Sequence, residues 1–261
     1  MFCRKEERDY VKALVLCDDL EPQRVTPLCR KYSCGIEVQS FCHPNYLIEN
    51  PDGVDLHLEE LKDINLIGLH GPFHDLCPGS TDKLLREVVN FRYQSACETA
   101  LKIKASHIIL HHGYVPKTSS YSGWLKRIVE FWQCFLVGKS ENINFYLENV
   151  LEFDSSLLCE VIDMINSPRV KVCLDIGHAH CNSKVTVLDW IEQLNGRIGY
   201  VHLHNNHGEV DEHLGLADGS IPMIDVLEAL ETYSRDSIWA IETSLPTKEE
   251  SLFWLKEKGF F

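Results

Sequence analysis

No two cysteines in this chain form a C-x-x-C pair, and their total of 11 is odd. A cysteine-type zinc site or a redox dithiol therefore has little sequence basis. Several thiols, Cys17 and Cys173 among them, sit inside apolar runs. That favours reduced, mostly buried thiols in a cytoplasmic protein over a disulfide framework. Long hydrophobic runs are also missing. Nothing approaches ~18 consecutive apolar residues, so no membrane span is expected. Residues 1–9 are charged and lack the apolar stretch of a secretory signal. Positive charge is scarce: 25 Lys and Arg against 39 Asp and Glu leave a net charge of −14. Such a field repels nucleic acid and anionic membranes at long range, although bound cations invert it locally. A small molecule is the expected partner.

What is present is a regular alternation. Eight short apolar runs read as strands: 12–17 (KALVLC), 35–40 (GIEVQS), 65–70 (NLIGLH), 107–112 (HIILHH), 144–149 (NFYLEN), 170–176 (VKVCLDI), 199–204 (GYVHLH) and 238–243 (IWAIET). Between them lie segments with helical spacing. The clearest is 82–104, with Asp82 as a cap and Leu85, Val88, Val89, Tyr93, Ala96, Ala100 and Ile103 at three- and four-residue steps. Residues 125–136, 155–165, 185–194, 223–230 and 249–258 behave alike, and a weaker segment carries Leu56, Leu58 and Leu61. Strands alternating with helices imply a parallel sheet, and non-alternating apolar runs imply strands covered on both faces. Eight such units in 261 residues fit one (β/α)₈ TIM barrel domain, 1–261, better than two ordinary domains. A doubly wound open sheet is the alternative, but no Gly-rich phosphate turn follows an early strand.

A barrel carries its chemistry at the C-terminal ends of the strands. Polar residues gather at those places: His70 and His74 after the third run, His111 and His112 after the fourth, and Glu148 after the fifth. Asp175, His178 and His180 follow the sixth run. His202, His204, His207, Asp211 and His213 follow the seventh, and Glu242 ends the eighth. Of 13 histidines, only His43, His57 and His107 clearly lie elsewhere. Imidazoles and carboxylates converging from several strands suit a divalent metal, with zinc or manganese foremost. Glu148, Asp175, Asp211 and Glu242 would repel one another unless cations lay between them. Two divalent ions neutralise the four charges; three leave a surplus suited to an anion.

Five motifs carry a family resemblance: LENV at Glu148, LDIGHAH at Asp175, VHLHNN at His202, DEHLGLADGSI from Asp211, and IET at Glu242. In order and spacing they resemble the xylose isomerase-like TIM barrel superfamily, which includes sugar and sugar-phosphate isomerases and epimerases and also endonuclease IV. The resemblance covers essentially the whole chain, most clearly from the third strand onward. It implies two patterns. Like the epimerases, the chain would hold one ion with Glu148, Asp175, His202 and Glu242. Glu148 and Glu242 would exchange a proton on the substrate, helped by His178. Like endonuclease IV, it would hold three ions with nine ligands: His70, His111, Glu148, Asp175, His178, His202, Asp211, His213 and Glu242. The expected cofactor is thus one to three divalent ions. The leading expectation is a metal-dependent isomerase or epimerase of a sugar or sugar phosphate. The alternative is a multi-metal phosphoesterase, under which nucleic acid becomes a possible partner. A non-catalytic barrel is the third reading. Asp211 and His213 stand where the epimerases usually carry Arg. Against endonuclease IV, DNA-inserting loops have no evident equivalent and the first strand lacks the usual motif.

The remaining candidates have plainer readings beside the functional ones. His204 shares strand parity with His202 and is expected to face the cavity, whereas His112 has the opposite parity and should point to the helices. Glu37 could line the barrel. Phe73, Tyr114 and Trp124 could stack on a sugar ring or simply fill loops. Lys117, Lys184 and Lys248 are the only cations near the expected active face, and no Arg joins them as a phosphate clamp.

Overall fold

A computed structural model describes residues 12–50, 52–118 and 120–261. The charged residues 1–9 lie outside the described residues. All eight apolar runs form strands: β1 (Leu14–Cys17), β2 (Gly35–Val38), β3 (Ile67–His70), β4 (His107–His111), β5 (Asn144–Glu148), β6 (Val170–Asp175), β7 (Ile198–Leu203) and β8 (Ile238–Ile241). They pair in parallel in sequence order, and β8 closes on β1, giving a (β/α)₈ TIM barrel. Nearly every strand residue is buried, as double-sided cover requires.

The helices that provide that cover are α1 (Pro22–Tyr32), α2 (Tyr46–Glu49), α3 (Gly53–Glu60), α4 (Lys83–Ile103), α5 (Tyr121–Phe135), α6 (Ser156–Ile165), α7 (Ile176–Asn182), α8 (Val187–Leu194), α9 (Met223–Tyr233) and α10 (Leu245–Glu257). Asp82 caps α4 as expected, accepting from Leu84 N at 2.8 Å. Val89, Tyr93, Ala96, Ala100 and Ile103 are buried, but Leu85 and Val88 are exposed. Length explains this. The 21 residues of α4 span about 31 Å, whereas a five-residue strand such as β4 spans about 17 Å. The first turns of α4 have no sheet to lie on. Helix α8 starts two residues later than the periodicity suggests, because Thr186 and Asp189 form a reciprocal capping box there.

Inside the barrel the layers have distinct chemistry. An inner cluster contains Val15, Cys17, Ile109, Tyr146, Cys173, Tyr200 and Ala240. Tyr146 stacks on Tyr200 at 5.4 Å, and His107 lies 4.9 Å from Tyr200. The His107 ring occupies space that a Cβ on Gly68 would take, so β3 needs glycine at that point. Burial lowers the pKa of His107 to about 4, so it is a neutral core residue. Among the described residues the ten cysteines are all free, and no helix is long and apolar enough to cross a membrane.

Candidate metal centre

Parallel register does much of the assembly. His111 is the register partner of Glu148 across β4 and β5, and Asp175 is that of His202 across β6 and β7. Glu148 is the hub. Its Oε2 lies 3.2 Å from both His70 Nε2 and His111 Nε2. Its Oε1 lies 3.3 Å from His202 Nδ1 and 3.4 Å from His178 Nδ1. His202 Nδ1 also faces Glu242 Oε2 at 3.2 Å and Asp175 Oδ2 at 3.6 Å. Asp211 Oδ2 joins His178 Nε2 at 3.3 Å to His213 Nε2 at 2.9 Å. All nine residues of the larger ligand set are therefore brought together.

Donor chemistry tests whether cations fit. His70 Nδ1 donates to Gly71 O at 2.9 Å, and His178 Nδ1 to Asn149 O at 2.9 Å. His213 Nδ1 donates to Glu242 O at 2.8 Å, and His202 Nε2 to Glu37 Oε2 at 3.0 Å. Each of the four rings thus commits one N–H to an oxygen that only accepts. Each then turns its other nitrogen to a carboxylate, which also only accepts. A ring nitrogen among carboxylate oxygens needs either a second proton or a metal cation. This is how metal-ligating histidines are held. The residues present fit divalent ions.

With protons as the only cations, the same geometry displaces the titrations. Burial pushes the Glu148 carboxyl up, but His111, His202 and His178 outweigh it and hold it well below the carboxylate range. Burial likewise opposes charge on His178, yet Asp175, Asp211 and Glu148 hold it well above the ordinary imidazole value. His213 resists burial through Asp211 and Glu242 and titrates at about 9. Glu242 is raised, by burial first and then by Asp175 and Glu148, against the pull of His202 and His213.

Some supporting residues escaped the sequence reading. β6 ends at Asp175 rather than Ile176, because the Asp175 side chain accepts from His178 N at 2.6 Å and starts α7. Asn149 ties β5 to β6 by accepting from Asp175 N and donating to Asp175 O, both at 2.8 Å. Gln39 donates to Glu242 Oε1. The asparagine was visible in LENV, but Gln39 follows β2, a strand that carries none of the motifs. His204 faces the cavity as its parity implies, with Nε2 3.1 Å from both Asp175 oxygens and its ring stacked on His213 at 4.1 Å. His112 points away, 2.7 Å from the buried Glu152.

Other candidates stay outside the cluster. His180 bonds Ser220, His207 bonds Glu212, and His74 is exposed against Phe73. Trp124 is buried against His112 and Tyr114, so it is a packing residue. Phe73 stacks on His111 at 4.2 Å. Lys248 is fully buried and directs its ammonium to Thr243 O at 2.6 Å, while Lys117 and Lys184 lie over the Phe153 ring.

Gly177 sets how closely α7 approaches β7. A Cβ there would run into the His204 ring, which is pinned between Asp175 and His213 and has nowhere to go. Gly177→Ala is expected to destabilise the fold by about 1–3 kcal/mol through overpacking. Urea unfolding measures this, and an unchanged midpoint would mean the ring has room to shift.

The sequence profile described as "Xylose isomerase-like TIM barrel" matches residues 33–258. Protein MJ1311 of Methanocaldococcus jannaschii is 30% identical over 203 residues, 71% of this chain and 68% of that protein. The probable endonuclease 4 of Mycobacterium leprae is 25% identical over 177 residues, 63% and 68% of the two chains. Among solved structures, a D-tagatose 3-epimerase-like protein superposes with a TM-score of 0.74 at 25% identity, covering 94% of this chain and 96% of that one. The TTHB071 protein from Thermus thermophilus, soaked with ZnCl2, superposes at 0.78 with 20% identity, covering 95% and 98%.

Proposed function

The chain belongs to the xylose isomerase-like TIM barrel family, and from that premise we propose that it is a multinuclear metal-dependent hydrolase of small phosphoric esters. One observation carries this reading. One oxygen of Glu148 faces His70 Nε2 and His111 Nε2, and the other faces His202 Nδ1, which is the placement of a carboxylate shared between cations. The nine ligands fall into overlapping groups about it. His70, His111 and Glu148 would hold one ion; Glu148, Asp175, His202 and Glu242 a second; His178, Asp211 and His213 a third. Zinc and manganese both suit this nitrogen and oxygen set. Bound there, such ions supply the positive charge that acidifies water and offsets the charge of a phosphate. That contribution is needed, since among the described residues no arginine joins the cluster and Lys248 is turned to Thr243 O.

The chain's own residues do the rest. The backbone carbonyls of Gly71, Asn149 and Glu242 hold three imidazoles in orientation. Asp211 and His213, the most exposed members of the set, provide a proton route to solvent. A cavity of about 290 Å³ beside His111, lined by Phe73, Leu76, Tyr114, Val115 and Leu151 among others, gives room for an apolar part of the ester. The 25% identity to an endonuclease 4 is consistent with phosphate-ester chemistry. The net charge of −14 favours a small ester over a polynucleotide. The free cysteines among the described residues suit a reducing compartment such as the cytoplasm.

The isomerase or epimerase reading keeps one specific support. Glu148 and Glu242 both reach His202 Nδ1, so two carboxylates flank one place as a proton-exchanging pair would. Its likeness to the D-tagatose 3-epimerase-like structure agrees with that. Elemental analysis of protein purified without chelator, together with assays on bis(p-nitrophenyl) phosphate and on ketoses in deuterated water, separates the two. The expected result is two or three ions per chain and phosphoester cleavage. One ion, no cleavage and deuterium entering the sugar would replace the hydrolase by the isomerase.

A further inference from the structure

Three of the four oriented imidazoles lean on backbone carbonyls. His202 alone leans on a side chain, the carboxylate of Glu37 from β2 on another part of the barrel wall. Glu37 is fully buried, as is His202. Its Oε2 accepts from Tyr200 Oη at 2.7 Å as well as from His202 Nε2 at 3.0 Å, and its Oε1 lies 3.3 Å from the same ring nitrogen. The carboxylate therefore grips the Nε2 edge of the ring with both oxygens. Nδ1 is left facing Glu148, Glu242 and Asp175. A buried carboxylate is costly to retain without a purpose, because a neutral apolar residue would fill a barrel layer at less desolvation cost.

We propose that Glu37 is a positioning residue for the metal centre, fixing the proton of His202 on Nε2 so that Nδ1 is the ligand atom, with Tyr200 holding Glu37 in turn. This inference rests on the reading that ions bind at Glu148. An anionic partner also makes the opposite ring nitrogen a stronger donor than a carbonyl partner does. The competing arrangement is an inner cation held directly by Cys17, Glu37, His202 and Glu242, whose donor atoms lie within 4.8 Å of one another. Against it, such a cation would have to displace the His202 Nε2 proton that Glu37 already accepts at 3.0 Å.

Zinc affinity, measured by competition with a chromophoric chelator, tests the proposal on the full chain. Glu37→Leu is expected to weaken one ion of the set by roughly 10–100-fold at unchanged stoichiometry. Glu37→Gln should recover most of that loss, since its amide oxygen still accepts from Nε2–H. NMR of isotope-labelled histidine in the zinc-loaded wild type reads the tautomer directly and stands even if Glu37→Leu fails to fold. The expected signature is a proton on His202 Nε2 and none on Nδ1. A proton on Nδ1, or unchanged affinity in a folded Glu37→Leu variant, overturns the proposal. Loss of a whole ion makes Glu37 a ligand and overturns it too. A wild type that takes up no zinc instead removes the metal reading on which it rests.

Discussion

Glu148→Gln is expected to abolish phosphoester cleavage and to lower the number of tightly bound ions by at least one. The amide has one acceptor oxygen where the carboxylate has two, so it cannot serve His70 and His111 on one side and His202 on the other. Its loss acts directly on the ions, so affinity should fall by more than the roughly 10–100-fold that outer partners control. Without ions the variant also leaves three imidazoles short of their shared anion, and breaking a buried pair in this way costs about 3–5 kcal/mol. Glu152→Gln is the control. Glu152 is equally buried and pairs with His112 at 2.7 Å, but both point away from the cluster. It should lose stability while keeping its full complement of ions. Metal analysis and thermal unfolding of the two variants side by side decide the matter. Equal ion loss in both, or in neither, would remove Glu148 from the hub.

The contrast between these two glutamates also shows what the sequence made legible. Strand parity separates His111 from His112 without any structure, because neighbouring strand residues face opposite sides. It likewise puts His202 and His204 on one side, where both are found. The nine candidate ligands were named from the family resemblance, and their convergence was readable because barrel geometry brings every strand end to one rim. A motif located on a strand end is then already located in space. Partners that come from outside a motif were not readable in this way. Glu152 is far from His112 along the chain, in a loop with no periodicity. Gln39 reaches Glu242 across the closure of β1 between β2 and β8. Glu37 stood out only as a charge in an apolar strand, and its link to Tyr200 and His202 depends on the barrel closing. Helix α1 was hidden by Pro22 and Pro27. Pro22 falls where helix starts accept proline, while Pro27 lies within the helix and obscures its periodicity.

Zinc binding is expected to release protons, and its apparent affinity to climb steeply with pH. His178 and His202 are held well above the ordinary imidazole value, and His213 at about 9, so in ion-free protein near neutrality all three keep both ring protons. A cation can bind their second nitrogens only after displacing a proton from each. Glu148, Asp175 and Asp211 are already ionised, since each is held below its ordinary value, and they release nothing. Apparent affinity should therefore rise about tenfold per pH unit for each proton displaced. The His213 share of that slope fades as pH passes about 9. Stability follows the same sign in the ion-free form. Imidazoles whose folded pKa is raised contribute fully below their unfolded value of about 6.5, and that contribution is lost as pH rises through the folded value. Ion-free protein should thus weaken between neutrality and about pH 9. Zinc-loaded protein, with cations in place of those protons, should not. Calorimetric titration in two buffers of different ionisation enthalpy counts the protons, and melting temperatures across the same pH range record the widening gap. Heats independent of the buffer would mean that the imidazoles are already neutral and that their carboxylate neighbours lie farther away than the distances above.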